Sequence, residues 1–418
     1  MSVTSAAVEA VWRIESGRLV AALTRITGDF AAAEDLAQDA LERALRQWPA
    51  DGIPQRPASW LMATAKHLAV DAYRRRLTLT RKLPALALET FTQQEGDPMA
   101  DVDEQLDSIV PDDLLRLVFL TCHPALTTES QVALTLRTVG GLTTREIARA
   151  FLVPEPTVGQ RISRAKRTLA QRHEPFELPP AAELPARLGA VLATVYLIFN
   201  EGYAATCGDE WTRAELCHDA LRLGRLLATL QPDEPEVHGL VALMELQASR
   251  IPARTGPGGE PVLLADQDRR RWDQLLIRRG FTALETADAL GTGPYTLQAA
   301  IAACHARAAS VGTTDWRRIV ALYTVLHHLT PSPVVALNRA VAVGMAEGPE
   351  RGLALAAPLA DEPALSASAE LPAVRATFLQ RLGHHAEARA QFHLAAERTT
   401  NARQRQLYLR QADLSAPG

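Results

Sequence analysis

At 418 residues the chain is long enough for about two to four domains with buried cores and too long for one compact unit. A net charge of −4 and a pI near 6.3 exclude a polycation, so any contact with nucleic acid must rest on local basic patches. Cys122, Cys207, Cys217 and Cys304 are too sparse for a secreted disulfide framework and no stretch reaches the ~18 apolar residues of a membrane span, so a cytoplasmic location is expected.

Alanine, leucine, arginine and glutamate fill almost every periodic segment, and alternating β-branched runs are few, which predicts an all-α fold. A first helical unit is expected over 8–76. In it, "AAAEDLAQDALERALRQW" strings Leu36, Ala37, Ala40, Leu41, Ala44, Leu45 and Trp48 along a core stripe. Asp35, Gln38, Asp39 and Glu42 then share an exposed acidic face at i, i+3, i+4, i+7. Standing alone, that face reads as solvated.

The next helix, "PASWLMATAKHLAVDAYRRR", buries Trp60, Leu61, Thr64, Ala65, Leu68 and Ala72. It exposes Lys66, His67, Asp71, Arg74 and Arg75, with Tyr73 and Arg76 completing an aromatic-basic end. Rings and guanidinium planes stack on unpaired bases while the positive charge follows the backbone, so this end suits single-stranded nucleic acid. The plainer alternative makes Asp71 and Arg75 an ordinary i, i+4 ion pair.

Periodicity fails over 77–109, where "QQEGDPMADVDEQLD" reads as an acidic linker. A second helical unit is expected over 110–173 and contains "TTREIARAFLVPEPTVGQRISRAKRTL". Thr143 and Glu146 have capping-box spacing, Pro154 marks a break, and Pro156 suits the first turn of a new helix. In that helix Val158, Ile162, Ala165 and Leu169 form the buried stripe. Arg161, Arg164, Lys166, Arg167 and Arg172 have no acid among them and match phosphate and guanine edges. The arrangement is a helix-turn-helix; the alternative is a helical hairpin with a solvated basic face.

"HEPFELPPAAELP" marks a boundary, and a helical extension is expected over 186–414, interrupted by the loop at 251–262. "ATFLQRLGHHAEARAQFHLAAER" has the spacing of tetratricopeptide helix pairs, and "VVALNRAVAVGMAEGPERGLALAAPL" is a looser copy. An irregular helical bundle is the competing reading. The tether from Pro175 to Pro185 is only about a dozen residues long, which keeps the extension at high effective concentration. The extension is therefore expected to pack on the second unit and support its activity.

No cofactor is expected, and no enzyme: glycine-rich phosphate loop, serine elbow and HExxH are all missing from the sequence. The dipeptides Cys122-His123, Cys217-His218 and Cys304-His305 invite a metal reading. Adjacent side chains on a helix diverge by about 100°, however, which suits no usual zinc site, and no metal is expected.

An acidic helix face, an aromatic-basic helix, an acidic linker and a helix-turn-helix follow one another in fixed order. The first 172 or so residues thereby resemble an extracytoplasmic-function (ECF) sigma factor of the sigma-70 family, the first two helices its region 2 and the third segment its region 4. The rest, with "YLIFNEGY" and "DQDRRRWD", resembles the subgroup with a tetratricopeptide-like extension.

The resemblance implies a non-enzymatic protein that recruits core RNA polymerase, through its β′ and β subunits, to promoter DNA and starts transcription, with the extension modulating activity and offering a place for a regulatory protein. It implies that Asp35, Gln38 and Asp39 dock on the β′ coiled coil. Trp60, Lys66, His67, Asp71, Tyr73, Arg74 and Arg75 fall in the segment that opens and reads the −10 element, and "PADGIPQRPAS" corresponds to the loop that captures a flipped base. Gln160, Ser163 and Arg164 match base-reading positions at −35, with Arg161, Lys166 and Arg167 on phosphates. The sequence departs from the pattern at Leu152, where glycine is usual, and at Gly159, where a polar contact is usual. The alternative function is a one-component helix-turn-helix regulator with a ligand- or protein-sensing helical domain.

Overall fold

In the computed structural model of the protein, residues 3–82, 111–151, 153–172, 175–205, 207–366 and 368–415 are described. They form two compact units, 1–194 and 195–418. As expected, both are helical; among the described residues the strands amount to two dipeptides.

The first unit opens with α1 (Val3–Thr27), α2 (Phe30–Asp51) and α3 (Pro57–Lys82). Asp29 starts α2 by accepting hydrogen bonds from the backbone N–H groups of Ala31 and Ala32, satisfying two donors that a helix start leaves free. The buried stripe of α2 is Phe30, Ala33, Glu34, Ala37, Ala40, Ala44 and Trp48. Leu45, expected in that stripe, is exposed, because it lies one step of about 100° round the helix from Ala44. On α3, Leu61, Thr64 and Ala65 are buried as expected, Leu68 is half-buried, and Ala69 is buried as well. The helix continues to Lys82, past Leu77 where the periodicity fails. The rest of the predicted linker, and the side chains of 72–82, lie outside the described residues.

Four helices follow: α4 (Pro111–Thr121), α5 (Thr128–Thr138), α6 (Thr144–Phe151) and α7 (Glu155–Arg172). Between α4 and α5 the Gln131 amide donates to the carbonyls of Cys122 and His123 at 3.2 and 3.0 Å, and Cys122 Sγ meets Thr135 Oγ1 at 3.4 Å. Thr194 also lies beside Cys122, where its hydroxyl opposes the upward push of burial on the thiol. It belongs to α8 (Leu184–Tyr203), whose first part closes this unit.

The second unit chains neighbouring helices together: α9 (Ala214–Leu230), α10 (Pro235–Ala248), the one-turn α11 (Ile251–Arg254), α12 (Gln274–Leu290), α13 (Pro294–Arg307), α14 (Trp316–Leu329), α15 (Pro333–Ala346), α16 (Pro349–Ala356), α17 (Glu370–Arg381), α18 (His385–Arg398) and α19 (Ala402–Leu414). Its core is a relay of small clusters. Leu243, Leu246, Leu284 and Ala303 join α10, α12 and α13, while Phe392, Ala395, Tyr408 and Ala412 join α18 to α19. The two segments read as helix pairs are α15 with α16 and α17 with α18. Phe378 of α17 lies over Gly344 and Gly352, where a Cβ on either glycine would fall 2.4 or 2.5 Å from its ring.

"DQDRRRWD" is absorbed by structure. Buried Gln267 donates to the Val262 carbonyl at 3.1 Å, and Arg269 donates to the carbonyls of His305 in the last turn of α13 and of Ala308 just past it. Trp272 lies under Arg269 and Arg250, and Asp273 caps α12. Buried Asn401 closes the unit by donating to the carbonyls of Ala205 and Glu210 at 3.0 and 2.8 Å, beside the parallel pairing of Cys207–Gly208 with Thr400–Asn401.

Candidate nucleic-acid interface

The helix-turn-helix is built as its residues dictate. The Thr143 hydroxyl accepts from the Glu146 backbone at 3.1 Å while the Glu146 carboxylate accepts from the Thr143 backbone at 2.7 Å, a complete capping box. After the break at Pro154, α7 buries Val158, Ile162, Ala165 and Leu169. That fixes the rotation of the helix, and Gln160, Ser163, Arg164 and Arg167 stand exposed at i, i+3, i+4, i+7. Leu152 lies outside the described residues. A Cβ at Gly159 would meet open space.

Two of the six residues expected on DNA sit at the edge of this face, half-buried. Near Arg161, the Glu129 carboxyl is held below its usual range by its own backbone N–H, by the Thr127 hydroxyl and, least, by the Arg161 charge. Lys166 contacts the carboxylates of Glu34 and Asp35 on α2, the latter at 3.4 Å. Arg137 of α5 completes the group, its Nε 3.4 Å from Glu34 Oε1. Glu34 is the residue that the sequence reading missed. The signal was present: at i+4 from Phe30 and i+3 before Ala37, a carboxylate occupies the core stripe, and a buried charge calls for a cation.

On α2, Asp35 and Asp39 are exposed and Gln38 is half-buried, on the face where the spacing put them. On α3, His67 and Asp71 are exposed and Lys66 is half-buried. Trp60 stands apart from them: it is half-buried and meets Trp48 edge-on with ring centroids 5.5 Å apart, so packing holds the ring. Tyr73, Arg74 and Arg75 lie on α3 with side chains outside the described residues. The loop between the helices leaves Gln55 and Arg56 exposed.

The Cys-His dipeptides do other work. Cys122, Cys217 and Cys304 are buried free thiols, and burial pushes that of Cys217 up to about 12. Burial, with Arg250 and Arg269 nearby, takes His305 down to about 4. Among the described residues no group of three or more His, Cys, Asp or Glu is placed to hold a metal ion, and no helix is long and apolar enough to cross a membrane.

Residues 13–77 match the family model for sigma-70 region 2, and residues 116–169 that for sigma-70 region 4. The chain belongs to the sigma-70 family and is an ECF sigma factor. Residues 187–288 of this sigma factor match a family of unknown function, DUF6596. An uncharacterized protein of Rhizobium meliloti (strain 1021) is 45% identical over 383 residues, covering 91% of this chain and 89% of the relative. The probable ECF RNA polymerase sigma factor SigI of Mycobacterium tuberculosis (strain ATCC 25618 / H37Rv) is 27% identical over 174 residues, or 42% of this chain and 58% of SigI. SigL of the same strain is 29% identical over 146 residues, or 35% of this chain and 76% of SigL. No solved structure matches significantly.

A sigma factor binds core RNA polymerase and promoter DNA and starts promoter-specific transcription without being an enzyme. The region 2 match removes the main ground for a one-component regulator, which would have no use for a polymerase-docking domain.

Proposed function

We propose that this sigma factor docks on the β′ coiled coil of core polymerase through Asp35, Gln38 and Asp39. In the same reading it contacts the −10 element through the exposed side of α3, with Lys66, His67 and Asp71 followed by Tyr73, Arg74 and Arg75. Gln160, Ser163 and Arg164 read −35 bases, and Arg161, Lys166 and Arg167 answer to phosphates. The observation that carries the reading is the pairing, in one unit, of an exposed acidic turn on α2 with an exposed Gln-Ser-Arg-Arg face on α7. The first seeks a cationic protein surface and the second a polyanion.

Trp60 enters this scheme through its packing on Trp48, which sets where α3 starts. The helical extension supports the transcribing arrangement and offers a surface to a regulatory protein.

Changing Asp35 and Asp39 together to lysine reverses the charge of the docking face. The double variant is expected to fold, by circular dichroism, and to lose co-purification with core polymerase. Normal co-purification would remove the docking assignment.

A further inference from the structure

The helical extension brings two arginines together on one tryptophan. Arg250 follows α10 and Arg269 stands in the segment before α12, and their guanidinium groups lie over the Trp272 ring, 5.5 and 4.6 Å from its centroid. Arg250 donates to the side-chain oxygens of Gln247 and Gln267 at 3.1 and 3.4 Å, while Arg269 spends its Nη1 on the carbonyls of His305 and Ala308. These acceptors are all neutral. Burial, and then the charge of Arg250, draws Arg269 below the usual arginine range.

Three polar atoms around the pair are buried with no hydrogen-bond partner among the described residues: Arg269 Nη2, Trp272 Nε1 and His305 Nδ1. A buried donor left unpaired is costly and calls for a partner. Arg269 also lines a cleft of about 270 Å³, walled by 265 and 267–270 on one side and by Ala309, Ser310 and Val311 on the other. Gln267 links the cleft to Arg250, since it lines the one and accepts from the other. Asp268, on the same wall, is paired with Arg270, whose Nε and Nη2 donate to its two oxygens at 3.0 and 2.9 Å.

We propose that this cleft binds a small phosphate monoester, with the phosphate on Arg269 and within the field of Arg250. A guanidinium fork meets phosphate oxygens in pairs. A phosphate monoester carries about −1.5 to −2 charges at pH 7, so it answers two cations at once where a monocarboxylate answers one. The cleft is smaller than the ~300–1,000 Å³ of drug-sized sites, so the organic part is a few carbons long. The site belongs to the extension alone and does not depend on how the chain docks on polymerase.

Titration calorimetry of the full chain with glycerol 3-phosphate, at constant ionic strength, tests the site. A single site with a Kd below about 1 mM is expected. Inorganic phosphate should bind more weakly, because it leaves the rest of the cleft unfilled, and acetate should not bind. Arg269→Lys keeps a charge and donors for the two carbonyls but loses the fork, and should weaken binding about tenfold or more. Phenylglyoxal labelling of arginines, read by peptide mapping, places the site in the unaltered chain: glycerol 3-phosphate should slow labelling of Arg269 about fivefold and leave Arg351, exposed on α16, unchanged.

The proposal is overturned by the absence of binding up to about 10 mM ester, by acetate or inorganic phosphate that binds more tightly than the ester, or by a folded Arg269→Lys chain that binds like the parent. Should that variant not fold, the labelling decides, and equal modification of Arg269 with and without the ester would overturn the proposal as well.

Discussion

Arg164 and Arg167 lie three residues apart on the exposed face of α7, and the proposed function gives them different work. A guanidinium at a base-reading position can make a bidentate contact to guanine, which fixes sequence as well as affinity. Arg164→Ala should therefore cost ~1–3 kcal/mol and relax preference at one −35 position. Arg167→Ala should weaken binding to all duplexes alike and flatten its salt dependence. Binding assays across single-base variants of the −35 element separate the two, and identical profiles would erase the distinction. These side chains were legible because an α-helix with a known buried stripe has a known exposed face. The partner of Lys166 was not, since Glu34 is 132 residues away and only folding brings the two together.

At the scale of the element, the sequence carried most where the pattern is local. The capping box, the break and the buried stripe of α7 all follow from spacings of three to four residues. Leu45 shows the limit: a stripe drawn from apolar identity alone includes residues at its edge, and contact with neighbouring helices decides how wide the buried face is. Contacts between distant segments are invisible to local periodicity, as with Phe378 over Gly344 and Gly352 or Asn401 bonded to the Ala205 carbonyl. Gly159 gives the element its own test. It sits inside α7 with open space around it, so it costs helix stability without permitting any close contact. Gly159→Ala should raise stability by ~0.5–1 kcal/mol in urea unfolding, and a destabilised variant would show that the position is constrained by something besides helix propensity.

For the whole molecule, the question is what the long extension contributes to a sigma factor. The first unit does not end with α7: it includes the start of α8, and Thr194 there lies beside Cys122. Truncation after Arg172 removes that helix and opens the polar group formed by Cys122, Thr135 and Thr121 on one side. A buried polar group that loses its partner costs ~1–3 kcal/mol. The loss falls on the unit that carries the helix-turn-helix. The truncated chain should consequently initiate less well, while its region 2 helices still hold core polymerase.

Run-off transcription tests the account most directly, using core polymerase and a fragment from upstream of the chain's own coding sequence, with the full chain, the chain truncated after Arg172, or neither, at equal folded concentration. A discrete transcript is expected with the full chain, a weaker one with the truncated chain and none with core alone. No transcript above core alone from any genomic fragment tried would contradict promoter-directed initiation, and a truncated chain as active as the full one, or more so, would contradict the supporting role given to the extension.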